Sequence, residues 1–181
     1  MNTDDLVLKP YNFREDTEDL YGLISNYDEQ IMFHSLVCLN SCMEFEQWMI
    51  DNFRRVYLDF RVIKDIKNYN TTIGYAYAYD YRRNDLNCKL CLFLKKEYRD
   101  SGLGAFATIK YMDLLFRCYP IRKIYFDIYD YNKQSLKSNL QAGFIEEGCL
   151  KEYRYHNGSF YDLHILSMDR ETFYNKFGSM L

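Results

Sequence analysis

Proline and glycine are scarce, at 2 and 8 of 181 residues. That scarcity excludes collagen-like, linker-rich and low-complexity chains. No apolar run approaches the roughly 18 residues that a membrane helix needs. Asp4, Asp5, Glu15 and Asp16 interrupt the N-terminus where a secretory leader would be apolar, so the expected setting is soluble and cytoplasmic. An excess of basic charge is also missing: 23 Lys and Arg against 26 Asp and Glu give a net charge of −3. A phosphate-tracking face needs the opposite balance. Arg82-Arg83 and Lys95-Lys96 with Arg99 are too short to supply one. Histidine is rare and scattered (His34, His156, His164), and among six cysteines only Cys88 and Cys91 form a close C-x-x-C pair. Without a second pair, a structural zinc site is not expected. The cysteines read as reduced thiols, with no metal.

Apolar and charged residues, at 48% and 27%, are those of an ordinary globular chain, and the length suits one continuous domain over residues 1–181. The excess lies in aromatics: 19 Tyr, 13 Phe and 1 Trp make 18%. Aromatic core filling, a stacking surface for nucleic acid and plain codon bias all fit that number.

Residues 6–10 read as a short strand ended by Pro10. A helix over 16–27 carries Leu20, Leu23, Ile24 and Tyr27 at helical spacing. Ser41 stands three residues before Glu44, a capping-box pattern, with Phe45, Trp48, Met49 and Phe53 on one face. Strands follow over 57–65, 72–81 and 87–94, the first two joined by a turn at Asn68-Tyr69-Asn70. Tyr75, Tyr77 and Tyr79 alternate with Ala76 and Ala78, giving one aromatic face. A helix over 104–119 with Ala105, Ile109, Met112 and Phe116 in its stripe stops at Pro120. A strand over 123–129, a helix over 133–141 closed by Gly143, and two strands joined at Asn157-Gly158 complete the pattern. Asp169 is placed to cap a short final helix. Hairpins combined with one crossover helix mean an α+β, or mixed α/β, layer.

The chemistry concentrates at Leu92-Phe93-Leu94-Lys95-Lys96-Glu97-Tyr98-Arg99-Asp100-Ser101-Gly102-Leu103-Gly104: a strand, a loop with R-x-x-G-x-G spacing, then a helix. The first turn of a helix offers unpaired N–H groups and the positive end of its dipole. Glycines let the backbone close on a phosphate without a Cβ in the way. The result is an anion cradle sized for a pyrophosphate. It is neither a Walker A loop, since no G-K-[ST] follows, nor a G-x-G-x-x-G fingerprint. Downstream come Asn132 at a strand end, a short helix, Gly143-Phe144 and then Glu146-Glu147-Gly148.

That order resembles the GNAT superfamily of acetyl-CoA-dependent N-acetyltransferases. The stretch 143–151, with Asn157-Gly158 and Tyr161-Asp162, is similar to its ribosomal-protein branch. The resemblance covers about residues 87–170; upstream only the element order agrees. It implies a central, mostly antiparallel, splayed seven-stranded sheet flanked by helices. It implies pantetheine pairing with the backbone of Phe93 and Leu94. The pyrophosphate would be held by backbone N–H groups of Arg99, Asp100, Ser101, Gly102, Leu103 and Gly104, with Ala105 at the edge, and Asn132 would either bond the pantetheine side or order the strand end. Two positions depart from the family: acidic Asp100 lies near the phosphates, and Asn139 stands where many relatives carry the tyrosine that protonates the thiolate. Ser135 is the replacement, either as that acid or as a plain helix cap, and Tyr131 is a second donor.

The attacking amine needs a base. Asp127, mid-strand among Ile124, Phe126 and Ile128, faces a cleft or has a buried partner, while Glu97, Glu152 and Asp162 are alternatives. Tyr77, Tyr79 and Asp80, flanked by Tyr75 and Tyr81, either line a pocket for a cationic amine or pack beneath the helices. The expected partners are acetyl-CoA and an amine-bearing small molecule or protein N-terminus, with no nucleic acid and no membrane. A homodimer is compatible with the resemblance. The rival reading is a catalytically silent acyl-CoA-binding or interaction protein on the same fold.

Overall fold

A computed structural model describes residues 5–26, 39–68, 70–99 and 101–181. The sequence-placed Tyr27, His34, Cys38, Tyr69 and Asp100 lie outside them. The elements run β1 (Leu6–Pro10), α1 (Thr17–Ile24), α2 (Cys42–Arg55), β2 (Tyr57–Asp65), β3 (Thr71–Arg82), β4 (Asn87–Leu94) and α3 (Leu103–Cys118). β5 (Lys123–Tyr129), α4 (Lys133–Gln141), β6 (Ile145–His156), β7 (Ser159–Asp169) and α5 (Arg170–Phe177) follow. The seven strands are ordered β1-β2-β3-β4-β5-β7-β6. β4 and β5 run parallel; β1–β2, β2–β3, β5–β7 and β6–β7 are antiparallel. None of the helices among the described residues is long and apolar enough to cross a membrane.

The described residues form two compact units, one of the chain up to Asp80 with Cys91–Leu115, the other of Tyr81–Leu90 with Phe116–Leu181. In the first, the helical stripe of α2 does what its spacing requires. Phe45 and Met49 are buried against Leu20, Ile24, Phe60, Val62, Tyr75 and Phe93, with Trp48 and Phe53 at the margin. The rings stack or tilt on one another: Phe60 on Tyr75 at 5.8 Å, Tyr75 on Phe93 at 5.2 Å and Tyr57 on Tyr77 at 4.8 Å between centroids. Much of the aromatic excess is therefore core. The Ser41 Oγ accepts from the Glu44 N–H at 3.2 Å, as the pattern requires. The return bond differs: the Glu44 carboxylate accepts from the Asn40 backbone at 2.9 Å, one residue outside the cap.

α3 buries part of the expected stripe, Met112 and Phe116, and not the rest. Leu103, Ala107, Tyr111, Met112, Leu115 and Phe116 are buried, whereas Ala105 is exposed and Ile109 half-buried. The Tyr111 hydroxyl donates to the Asp59 carbonyl at 3.1 Å, so its ring can be wholly buried.

In the second unit the Asn157-Gly158 turn has φ of 44° and 81°, the left-handed pair that suits a two-residue hairpin. After α4, the Phe144 N–H reaches the Asn139 carbonyl while Gly143 sits at φ 91°. Asp169 caps α5, accepting from the Thr172 N–H at 2.9 Å and the Thr172 hydroxyl at 2.7 Å. Those donors, the backbone one foremost, hold its carboxyl below the ordinary 3.8. The contribution is thus complete above the unfolded value and lost as pH falls through the lower folded one. Asp169→Ala should cost about 1 kcal/mol at neutral pH. The gap in urea midpoint between variant and parent should narrow from about pH 6 to about pH 3.

Candidate active site

The strand exit before the glycine loop is shaped by an irregularity in β3. Ile63 pairs with Gly74 and Lys64 with Thr72, leaving Ile73 as the extra, bulged residue. The Ile73 carbonyl accepts from the Lys95 N–H at 2.8 Å, just beyond the end of β4. Gly74 permits this closeness. A Cβ there would lie 2.1 Å from the Phe93 carbonyl oxygen and 3.0 Å from the Leu94 Cα. Sequence reasoning passed over Gly74; its signal was a glycine inside an otherwise bulky strand.

Past Leu94 the chain makes one tight turn over Lys96–Tyr98 and enters α3 at Leu103. Gly102 has φ +80° with open space at its missing Cβ, so backbone conformation rather than crowding demands glycine. The first helical bond of α3 runs from the Phe106 N–H to the Gly102 carbonyl. The N–H groups of Leu103, Gly104 and Ala105 therefore precede the intrahelical ladder, and no acidic residue occupies the first turn. The loop is pinned from within. Arg99 Nε donates to the Leu94 carbonyl at 2.7 Å, its guanidinium lies 5.0 Å from the Phe93 ring centre, and the Ser101 hydroxyl donates to the Tyr98 carbonyl at 2.9 Å. Arg99 thus ties the loop to the strand end, and the N–H groups of Leu103, Gly104 and Ala105 lie ahead of the helical ladder. This donor set fits a pyrophosphate. A Cβ on Gly104 would make only ordinary contact, 3.8 Å from Leu94.

The tyrosine face divides. Tyr75 is core, and Tyr77 lies among Tyr57, Phe60 and Tyr75 with a hydrogen bond to Cys91. Burial drives the Tyr77 hydroxyl well above its usual range and Cys91 to about 12, so both stay protonated. Tyr79 follows at 5.5 Å from Tyr77, and exposed Asp80 adopts φ 48°, breaking the alternation. Neither Cys88 nor Cys91 joins a group of three metal-capable side chains among the described residues. Burial raises Cys88 to about 12 as well.

In the second unit Asn132 caps α4: its Oδ1 accepts from the Ser135 N–H at 3.3 Å. The cap therefore uses the Ser135 backbone, and the Ser135 hydroxyl is not the cap. Its Oγ instead accepts from the Asn139 side-chain amide at 3.3 Å, and that amide also donates to the Ser135 carbonyl at 2.8 Å.

Tyr131 stands between Tyr129, stacked at 5.3 Å, and Tyr161, edge-on at 5.0 Å, and its oxygen accepts from Arg154 at 3.2 Å. Burial raises Tyr129 to about 12 despite the Arg154 guanidinium 4.3 Å from its ring. Asp127 has a partner: its Oδ2 lies 2.5 Å from Lys89 Nζ, with the carboxylate side chain 2% exposed. Of the other acids, Glu97 and Glu152 are exposed. Asp162 acquires a local role. Between Leu150–Leu163 and Arg154–Tyr161 the β6 register slips, and the Asp162 carboxylate accepts from the Glu152 N–H at 2.9 Å and from Lys151 at 2.6 Å, holding the bulge. The Lys151 contact chiefly holds its carboxyl below the usual range.

No protein-family model matches the chain. Its fold matches that of spermidine N-acetyltransferase from Vibrio cholerae, solved with CoA and spermine, at a TM-score of 0.83 over 94% of this chain and 98% of that one, with 18% identity. The chain has the GNAT fold. A dodecameric structure of the same Vibrio enzyme matches at 0.81, over 95% and 98% of the two chains, with 19% identity. In sequence, the chain is 27% identical over 175 residues to YoaA, an uncharacterized N-acetyltransferase of Bacillus subtilis, spanning 93% of this chain and 95% of that protein. Within the GNAT fold, the expected strand, glycine-opened loop and helix fall at β4 and α3.

Proposed function

We propose that the chain is an acetyl-CoA-dependent N-acetyltransferase that passes the acetyl group directly to a primary amine of a small molecule or a protein N-terminus. The observation that carries the reading is the start of α3: a glycine at φ +80°, a first turn without acidic side chains, and N–H groups ahead of the helical ladder. Over the matched length, both the YoaA relative and the Vibrio neighbours bear N-acetyltransferase names, which supports it.

In this reading Phe93 and Leu94 present backbone to the pantetheine arm, and the loop from Arg99 to Ala105 receives the pyrophosphate. Acetyl-CoA supplies a thioester. The amine nitrogen bonds to its carbonyl carbon, the carbon–sulfur bond breaks, the amine's proton leaves to a base or water, and the thiolate gains a proton. Ser135 is assigned that last step because its oxygen accepts from Asn139, leaving its own hydrogen to give away. Asp127, as the base, would first have to part from Lys89. Tyr79 and Asp80 remain the proposed contacts to the acceptor, with Tyr77 behind them in the ring cluster. The resemblance of 143–151 to the ribosomal-protein branch keeps protein N-termini among the proposed acceptors, while the neighbour solved with spermine puts polyamines beside them.

The test is to mix the protein with acetyl-CoA and an amine panel of spermidine, spermine, an amino sugar, an aminoglycoside and a peptide N-terminus, and to follow free thiol. Release that depends on one amine class is the expected result. Absence of CoA binding by calorimetry would overturn the reading. CoA binding without turnover on any amine would favour the silent acyl-CoA-binding alternative, which Asn139 already gives a basis.

A further inference from the structure

We propose that the β6–β7 hairpin carries a binding site for a borderline-soft divalent cation, Zn(II) being the best fit, with Glu146, Cys149 and His164 as ligands. Cys149 and His164 are direct cross-strand partners, so their side chains rise side by side on one face. Glu146 is three residues from Cys149, and in a regular strand it would point to the other face. The β6 register removes that conflict. Glu146 pairs with Leu166 but Gly148 pairs with Ile165, so one extra residue is inserted and Glu146 returns to the face of Cys149. The ligand atoms of the three side chains all lie within 4.8 Å of one another. His164 Nδ1 and the Glu146 carboxylate are 2.7 Å apart.

A tetrahedral zinc with bonds of roughly 2.0 Å to nitrogen and oxygen and 2.3 Å to sulfur needs its donor atoms about 3.3–3.7 Å apart. The His–Glu pair must open by a little over half an ångström, and the sulfur, already within 4.8 Å of both partners, need close by no more than about 1.3 Å. Side-chain rotation supplies both, because Glu146 is exposed and His164 and Cys149 are only half-buried. One thiolate, one imidazole and one carboxylate suit zinc and its neighbours in the first transition row, and are unlike the all-oxygen shells of magnesium and calcium. The two ionised ligands balance a divalent charge. Nearby Asp162, 3.8 Å from the Cys149 sulfur, is neutralised by Lys151. Three protein ligands leave a fourth position for water. The site lies on one hairpin and stands independently of the acetyl-transfer reading. It also departs from the metal-free expectation drawn from scattered histidines, since the bulge that assembles it has no sequence signal.

The test uses the full chain, reduced and stripped with a chelator, titrated with Co(II) as a spectroscopic probe and with Zn(II) against a fluorescent chelator. One equivalent of Co(II) should give a thiolate-to-metal charge-transfer band that Zn(II) displaces. Cys149→Ser should abolish the band, whereas Cys118→Ser, at an exposed thiol elsewhere, should keep it. His164→Ala and Glu146→Gln should each weaken Zn(II) binding by about tenfold or more. Glu146→Gln, at an exposed position, keeps the test valid if the other variants fold poorly. The proposal is overturned if no band forms, if the band survives Cys149→Ser, or if Glu146→Gln and His164→Ala both bind Zn(II) as the parent does.

Discussion

Gly74→Ala should lower folding stability by about 3 kcal/mol or more and cut the yield of soluble protein, the largest loss expected from adding one carbon anywhere in the first unit. The added Cβ would sit 2.1 Å from the Phe93 carbonyl oxygen, 2.9 Å from Leu94 Cδ2 and 3.0 Å from Leu94 Cα. Only the first-named side-chain carbon can swing away. The other two atoms are backbone, and Phe93 and Leu94 are both buried, so relief requires β3 and β4 to separate. Separation would strain the bond from the Lys95 N–H to the Ile73 carbonyl that fixes the strand exit. The same substitution at Gly22, on the exposed face of α1 with open space around its missing Cβ, is the matched control. Gly22→Ala should stabilise the protein, by about 0.5–1 kcal/mol, because alanine orders a helix more cheaply than glycine. Urea unfolding of the two variants should move the midpoint in opposite directions. A Gly74→Ala midpoint equal to that of the parent would mean that β3 and β4 do not approach as closely as this packing requires. If the strand exit presents Phe93 and Leu94 to pantetheine as proposed, the folded fraction of Gly74→Ala should also bind CoA more weakly.

The division between what was legible in the sequence and what was not follows the range of the interactions involved. Elements fixed by local chemistry stand where periodicity and turn residues put them: β1 ends at Pro10, α4 spans 133–141, and the last hairpin turns at Asn157-Gly158. The glycine loop was legible for the same reason, since Gly102 needs a positive φ whatever surrounds it. Features set by contacts distant in sequence were not legible. The bulge at Ile73 depends on how β3 registers against β2, and neither strand alone encodes it. That Tyr111 joins Met112 and Phe116 on the buried face of α3 depends on a carbonyl at Asp59, 52 residues away. Asp127 posed an either-or from sequence, cleft or buried partner, and the partner is Lys89, brought alongside by the parallel pairing of β4 with β5. Ser135 is the reverse case. Local sequence favoured a capping hydroxyl, yet Asn132 took the cap and left the hydroxyl to Asn139.

That exchange of roles makes Ser135→Ala an unusually clean substitution. A serine that capped α4 would lose helix stability on truncation, by about 1 kcal/mol. Here the cap bond runs from the Ser135 backbone N–H to Asn132, and alanine keeps that N–H. Ser135→Ala should therefore leave the unfolding midpoint and the affinity for CoA nearly unchanged. If the hydroxyl protonates the departing thiolate, kcat should fall by about 10²- to 10³-fold, since a positioned acid typically contributes on that scale. Loss confined to kcat at constant CoA affinity separates a chemical role from a structural one. Asn139→Ala removes the donor that orients the hydroxyl and should produce a smaller loss of kcat, about tenfold, placing Asn139 as a positioning residue. Tyr131→Phe is the decisive comparison. Tyr131 is the second donor named from the sequence, and its hydroxyl accepts from the Arg154 guanidinium at 3.2 Å. Near-parent turnover in Tyr131→Phe together with collapse in Ser135→Ala assigns the proton to Ser135. The opposite pair of results transfers it to Tyr131 and leaves Ser135 with no role in the chemistry.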